Sequence, residues 1–139
     1  MPLYTTNYVK GAISEEAKPK IAADITRIHC DVTGAPATFV HAFFFEESSE
    51  LPLDGQSAFL FGRIRGGRTD AQKAQIVKEM QESIHTHTGL PLDDIKVATA
   101  DTPAKWVMEG GDLLPEPGEE AAWLAAHEAK LAAAAKVSA

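Results

Sequence analysis

The second residue of the chain, Pro2, offers the clearest chemistry in the sequence because it directly follows Met1. Processing that removes the initial methionine tolerates a small, uncharged second residue, so we expect the mature chain to begin with the secondary amine of Pro2. An α-amino group titrates near pH ~8 in water, and burial or nearby cations lower its pKa. Such an amine serves as a base or an acid near neutral pH. The alternative is that Pro2 simply begins a strand, where its ring needs no hydrogen-bonding partner.

A second chemical signal comes from Arg65 and Arg68, which lie in a short turn that contains two glycines. The turn runs from the end of a predicted strand to a helix cap at Thr69. Backbone donors, the positive end of a helix and two guanidinium groups together suit the binding of a carboxylate. The spacing fits neither a Walker A loop nor the dinucleotide fingerprint. The alternative is a solvated basic turn, since exposed arginines are common.

The histidines are candidates of a different kind. His29 follows Ile25 by four residues and therefore lies on the inward edge of a predicted helix, either as a packed core residue or as a donor to a substrate oxygen. His41 lies on an apolar predicted strand and is expected to pack. His85 and His87 end the second predicted helix, where the helix dipole favours histidine. No acid or cysteine nearby completes a ligand set, so we expect no metal site.

Composition limits the class of protein. The 139 residues are 45% hydrophobic and 24% charged, with a formal net charge of −7 and a pI near 5.1. These values are typical of a globular domain and argue against a nucleic-acid partner. Cys30 is the single cysteine, which excludes a disulfide framework and suits the cytoplasm. The sequence shows neither a signal-peptide pattern nor a stretch of ~20 apolar residues, so we expect an unexported protein that does not enter membranes.

The chain contains an internal repeat. Apolar residues recur at helical spacing after Ser14 and again after Thr69, where Gln72 completes a predicted capping box. Superposing the two halves without gaps gives a constant offset of 55 residues. This indicates a duplication. The matched pairs are Ser14 with Thr69, Ile21 with Ile76, Gly34 with Gly89, and Pro36 with Pro91.

The repeat predicts a single α/β (α+β) domain built from two βαβ units, at residues 1–46 and 56–101. Residues 102–139 should form a loop and a C-terminal helix anchored by Trp123 and Leu124. Two such units make a four-stranded sheet with both helices on one face. The other face then needs a cover, so we expect a homo-oligomer in a closed ring. Strands are predicted at residues 3–9, 38–45, 58–64 and 95–100.

The two halves differ at the residues with chemical potential. At the offset of 55 residues, Pro2 corresponds to Ser57. Arg65 and Arg68 correspond to a lysine and an isoleucine of the first half. The amine can come only from the first half, and the arginine pair can come only from the second half. This asymmetry indicates one site per chain.

Four features stand out in the sequence: the opening Met1-Pro2, the βαβ duplication, the turn at residues 64–69 and the segment Leu-Leu-Pro-Glu-Pro-Gly-Glu-Glu at residues 113–120. Taken together, they resemble the tautomerase superfamily. The resemblance is to its cis-3-chloroacrylic acid dehalogenase-like group and covers most of the chain. It implies the tautomerase fold, a homotrimer and no cofactor.

The same resemblance implies roles for individual residues. Pro2 would be the catalytic amine, while His29, Arg65 and Arg68 would hold the carboxylate of a small substrate. Glu109 would match the acid that activates water, although a glutamate in a glycine-flanked loop is by itself indistinguishable from a solvated acid.

One position departs from the family pattern. Ala98 stands where the dehalogenase has its water-activating tyrosine, which argues against efficient dehalogenation. We therefore expect a cofactor-independent enzyme that acts on an unsaturated or enolic carboxylate by tautomerisation or hydration. The alternatives are a 3-oxo acid decarboxylase of the same superfamily and a non-catalytic trimeric binding or signalling protein.

Overall fold

The chain folds as two consecutive βαβ units, and the computed structural model describes residues 1–138. The first unit contains strand β1 (Leu3–Tyr8), helix α1 (Ala17–Thr33) and strand β2 (His41–Glu46). The second unit repeats this order. It contains strand β3 (Ala58–Arg65), helix α2 (Asp70–Thr88) and strand β4 (Ile95–Thr102).

The four strands form one mixed sheet in the order β2-β1-β3-β4. Within each unit the strands are parallel, and the central strands β1 and β3 are antiparallel. The fold class predicted from the repeat is confirmed, with α1 and α2 packed against each other. In the central pair Leu3 lies opposite Arg63. The start of the chain therefore lies beside the end of β3.

Local sequence signals explain the helix boundaries. Thr69 and Gln72 form a reciprocal capping box at the start of α2, as predicted. Gly34 and Gly89 end the two helices in the left-handed conformation, where a residue without a Cβ is favoured. Helix α1 begins three residues after the predicted Ser14. Its Pro19 then falls in the first turn, whose N–H groups lack helical partners in any case.

The strand predicted at residues 38–45 was placed too early. Residues Ala37–Phe39 form a short 3-10 turn, and β2 begins at His41. Phe39 leaves the sheet and packs edge-to-face against Trp123, with 5.4 Å between the ring centroids. An apolar run alone does not separate a strand from a turn whose aromatic residue packs elsewhere.

The hydrophobic core lies between the sheet and the two helices. Alternation along the strands turns Tyr4, Leu60 and Ile64 toward the helices. The opposite face carries Phe43, which is 52% exposed, and Phe45. We call this second surface the open sheet face. The other fully buried core side chains include Ile21, Ile25, Ile28, Ile76, Met80 and Ile84.

The C-terminal part contacts the end of β3, where Arg65 donates to the carbonyl oxygen of Pro115. A two-stranded hairpin, β5 (Met108–Glu109) and β6 (Asp112–Leu113), precedes helix α3 (Glu120–Ser138). Trp123 anchors α3, because its indole N–H donates to the carbonyl oxygen of Leu113 at 2.6 Å. Among residues 1–138, no helix combines the length and apolar character needed to cross a membrane.

The close approach of Gly62 to Tyr4 limits the size of the side chain that the central strand pair accepts at position 62. A Cβ at Gly62 would overlap the ring of Tyr4, which lies directly opposite on β1. We expect Gly62→Ala to lower the free energy of unfolding by about 1–3 kcal/mol, as overpacking does. Gly66→Ala is the matched control, because its Cβ would meet only the carbonyl oxygen of Thr102 at 3.8 Å. Chemical denaturation of both variants measures the difference, and equal stabilities would contradict the constraint.

Candidate active site

A small cavity lies where the first residues of the chain meet the end of β3. Four of the predicted site residues line it, namely Pro2, His29, Arg65 and Arg68. They come from the start of β1, the later part of α1, the end of β3 and the turn before α2. The free volume is about 10 Å³, roughly room for one water molecule. The remaining lining residues are Met1, Ala35, Pro36, Phe39, Leu114 and Glu120.

The amino end of the chain forms one corner of the site. Pro2 is buried, and its carbonyl oxygen accepts a hydrogen bond of 3.0 Å from the backbone N–H of His41. The α-amino group of Met1 forms an ion pair with Oε1 of Glu109. Glu109 therefore reaches this corner from the β5–β6 hairpin, next to the cavity rather than among its lining residues.

Burial and charge both act on this amino group. Burial, followed by the positive charge of Arg65, lowers the pKa of the Met1 amine from 8.0 to about 6. The carboxylate of Glu109 opposes this change, because a neighbouring negative charge favours the ammonium form. An amine at this corner thus has an environment that favours its neutral form.

The arginines form a second, cationic corner. Arg65 is 7% exposed, so the alternative of a solvated basic turn is wrong. Its Nη1 donates to the carbonyl oxygen of Pro115 at 2.7 Å, and its Nη2 donates to Oε1 of Glu120 at 2.6 Å. Nη1 of Arg68 lies 3.9 Å from the same Glu120 oxygen and 3.4 Å from the carbonyl oxygen of Thr33. The Nε atoms of both arginines are buried without a hydrogen-bond partner.

His29 completes the cavity as a neutral ring. Its side chain is 2% exposed, and Nδ1 lies 2.7 Å from the hydroxyl oxygen of Tyr4. Burial, followed by the charge of Arg68, lowers the pKa of His29 to about 4. Burial also raises the pKa of Tyr4, whose hydroxyl stays protonated. When Tyr4 donates to Nδ1, the proton of the neutral ring is on Nε2, which is then a hydrogen-bond donor.

One histidine lies elsewhere than the sequence suggested. His41 does not pack but is exposed, with Nε2 3.8 Å from Oε1 of Glu109. Ala98 lies on β4, opposite Phe61 of β3, and belongs to the open sheet face. It does not line the cavity. His85 and His87 lie in the last turn of α2, as predicted. The ring of His85 bonds to the nearby carbonyl oxygen of Leu90, and that of His87 bonds to Asp24 of α1.

Sequence reasoning missed two side chains of the site. Glu120 was recognised only as part of a matching segment, and Tyr4 only as part of the first strand. Tyr4 had a weak signal, because it follows Pro2 by two residues and so shares its strand face. An acid at the start of a helix is ordinarily interpreted as a partner of the helix dipole. The contact between Glu120 and Arg65 spans 55 residues of sequence and depends on the tertiary fold.

Comparison with protein families gives one match over most of the chain. The family model Tautomerase_3, described as "Putative oxalocrotonate tautomerase enzyme", matches residues 1–128. Among curated proteins, the chain is 45% identical over 47 residues to Probable tautomerase LL0574 of Lactococcus lactis subsp. lactis (strain IL1403). That match covers 34% of this chain and 77% of the relative.

Solved structures with the same fold include two informative neighbours. One is N1, a member of the cis-3-chloroacrylic acid dehalogenase family, with a TM-score of 0.79 and 28% identity. The match covers 88% of this chain and 90% of N1. The other is the F6 fused 4-OT wild type asymmetric trimer, with a TM-score of 0.68 and 25% identity, covering 80% of this chain and 94% of that one.

The buried position of His29 predicts a pH dependence of stability. The unfolded chain binds a proton at this histidine near pH 6.5, whereas the folded chain resists protonation until about pH 4. The contribution of neutral His29 is therefore present above pH 6.5 and is lost as the pH falls toward 4, by up to about 3 kcal/mol. We expect His29→Gln, which keeps a polar partner for Tyr4, to lose less stability than the wild type over this interval.

An NMR titration checks the cause directly. The ring signals of His29, assigned by comparison with His29→Gln, should show a neutral imidazole at pH 5. A ring that titrates near pH 6.5 would contradict the predicted environment.

Proposed function

Because this chain belongs to the tautomerase family, we propose that it is a cofactor-independent enzyme that uses Pro2 to move a proton on a small enolic or unsaturated carboxylate. In this proposal Met1 is removed and Pro2 becomes the N-terminal residue. The observation that carries this proposal is that Pro2, Arg65, Arg68 and His29 line one cavity, where burial lowers the pKa of His29 to about 4. Fixed cations suit an anionic substrate, and neutral nitrogens suit proton transfer.

The proposed base is the secondary amine of Pro2. The Met1 amine in the adjacent position has its pKa lowered to about 6 by burial and by Arg65. Pro2 is itself buried and lines the same cavity as Arg65. Its amine, once exposed by removal of Met1, should therefore have a pKa below the usual ~8. At neutral pH it would be ready to accept a proton.

The proposed reaction is ketonisation of an enol. Arg65 and Arg68 hold the substrate carboxylate, and the Nε2–H group of His29 donates to the oxygen at carbon 2. Pro2 takes the proton from the enol hydroxyl and returns it to carbon 3, so that one O–H bond breaks and one C–H bond forms. The negative charge that develops on the oxygen is stabilised by fixed donors.

Hydration is the second reaction that the same set of residues supports. Glu109 reaches the amino end of the chain and would direct a water molecule toward the bound substrate. The dehalogenase-like group has a water-activating tyrosine where this chain has Ala98, whose methyl group cannot activate water. We therefore propose tautomerisation as the principal activity.

A neighbouring cleft favours substrates with an apolar substituent. It has a volume of about 280 Å³ and shares Pro36, Phe39 and Glu120 with the cavity. Trp123 and Leu124 complete its apolar wall. An aryl group fits such a lining, which is why phenylenolpyruvate is a suitable test substrate.

We further propose that the working form is a homotrimer. The open sheet face exposes Phe43 and Phe45, and exposed aromatic patches mark contact surfaces. A structural neighbour with 25% identity is a trimer of fused 4-OT chains.

The first prediction of this proposal concerns Pro2. Intact mass should first show that both the wild type and Pro2→Ala lack Met1. The wild type should then ketonise phenylenolpyruvate with little release of halide from cis-3-chloroacrylate. Pro2→Ala should lose at least about a hundredfold in rate, the usual size of acid–base catalysis.

Three other results of these assays would change or contradict the proposal. Comparable proline-dependent halide release would make hydration the principal function. An active Pro2→Ala variant would refute the amine mechanism. Absence of both activities in the processed wild type would contradict this enzymatic proposal.

The second prediction concerns Arg68. We expect Arg68→Ala to weaken binding of the substrate carboxylate by about 2 kcal/mol, the value of a charge-assisted hydrogen bond. KM should then rise by roughly thirtyfold. Arg27→Ala is the matched control, because Arg27 is exposed and forms ion pairs with Asp24 and Asp31 of its own helix. Steady-state kinetics on phenylenolpyruvate separates the two, and equal KM values would remove Arg68 from the binding site.

A further inference from the structure

The arginine corner already contains a carboxylate from the protein itself. Oε1 of Glu120 lies 2.6 Å from Nη2 of Arg65 and 3.9 Å from Nη1 of Arg68. Nη1 of Arg65 donates to the carbonyl oxygen of Pro115. Both terminal nitrogens of Arg65 therefore have partners within the chain.

The occupied corner leaves little room for another anion. The cavity has a free volume of about 10 Å³, and Glu120 is one of its lining residues. A carboxylate group is larger than the water molecule that such a space holds. A substrate carboxylate that uses Nη2 of Arg65 must therefore move Glu120.

Glu120 is placed so that it can move. It is the first residue of α3, and its side chain is 36% exposed. Its second oxygen is held only locally, by the backbone N–H of Gly118 at 2.7 Å. Rotation about its side-chain bonds would carry the carboxylate toward solvent, while the backbone of α3 stays in place.

The ionisation of Glu120 at neutral pH supports competition with an anion. Burial disfavours the charged form, but hydrogen bonds from the backbone N–H groups of Glu120 and Gly118, and from Arg65, hold the pKa of Glu120 below its usual range. Glu120 therefore presents a full negative charge to the arginine pair.

We propose that Glu120 is an internal competitor that the substrate carboxylate displaces from Arg65, and that it restricts the site to substrates with a single carboxylate. The displaced side chain stays on the wall that the cavity shares with the apolar cleft. A second carboxylate on the substrate would meet this negative charge there, whereas an uncharged substituent would not. The inference rests on the proposed carboxylate site but not on the proton transfer by Pro2.

The test uses two unreactive probes of equal chain length, butanoate and butanedioate, titrated by NMR at constant ionic strength. We expect Glu120→Gln to bind butanoate at least about tenfold more tightly than the wild type, because removing the competing charge is equivalent to ~1.4 kcal/mol. The gain for butanedioate should be larger still. Glu119→Gln is the matched control, since it removes an exposed charge at the adjacent position and should change either affinity less than about twofold.

Two outcomes would overturn the proposal. Unchanged or weaker butanoate binding in Glu120→Gln would show that Glu120 supports the arginines rather than competing for them. Equal gains for the two probes would remove the selection against a second carboxylate. Glu120→Ala provides a second variant that cannot keep a hydrogen bond to Arg65, and thermal unfolding of each variant establishes that it is folded.

Repeating the titrations in Pro2→Ala separates this inference from the catalytic one. The affinity change at Glu120 should persist in that background, where the proposed catalysis is lost. For active protein, Glu120→Gln should lower KM for phenylenolpyruvate and leave kcat within about twofold, because Glu120 competes in the free enzyme and its displacement affects the bound ground state and the transition state equally. A merely structural role would lower kcat as well.

Discussion

The antiparallel pairing of β1 with β3 is the interaction on which the rest of the structure depends. It joins the two βαβ units into one sheet and places both helices on the same face. Because Leu3 lies opposite Arg63, the first residues of the chain meet the end of the strand that carries Arg65. The same register sets Tyr4 against Gly62, and the hydroxyl of Tyr4 then reaches Nδ1 of His29.

The second constraint is the burial of two arginines at one point. Bringing like charges together in a poorly solvated place is unfavourable unless oxygen atoms surround them. The carbonyl oxygens of Pro115 and Thr33 and the carboxylate of Glu120 provide those partners. The C-terminal segment is thus attached to the site by the electrostatics of the arginine pair.

Burial and positive charge also act on the other groups of the cavity. They lower the pKa of His29 to about 4 and that of the terminal amine to about 6. Two guanidinium groups in one corner suit an anion, and the nearby nitrogens are shifted toward their neutral forms.

The sequence by itself determined the repeat, the βαβ order and most helix ends, because these depend on periodicity and local capping by residues such as Thr69 and Gly89. It also identified the four candidate residues that line one cavity. Only the tertiary structure decided the exposure of His41, the late start of β2 and the occupation of Arg65 by Glu120. Those features depend on contacts between residues far apart in the chain, where side-chain burial and electrostatics outweigh any local pattern.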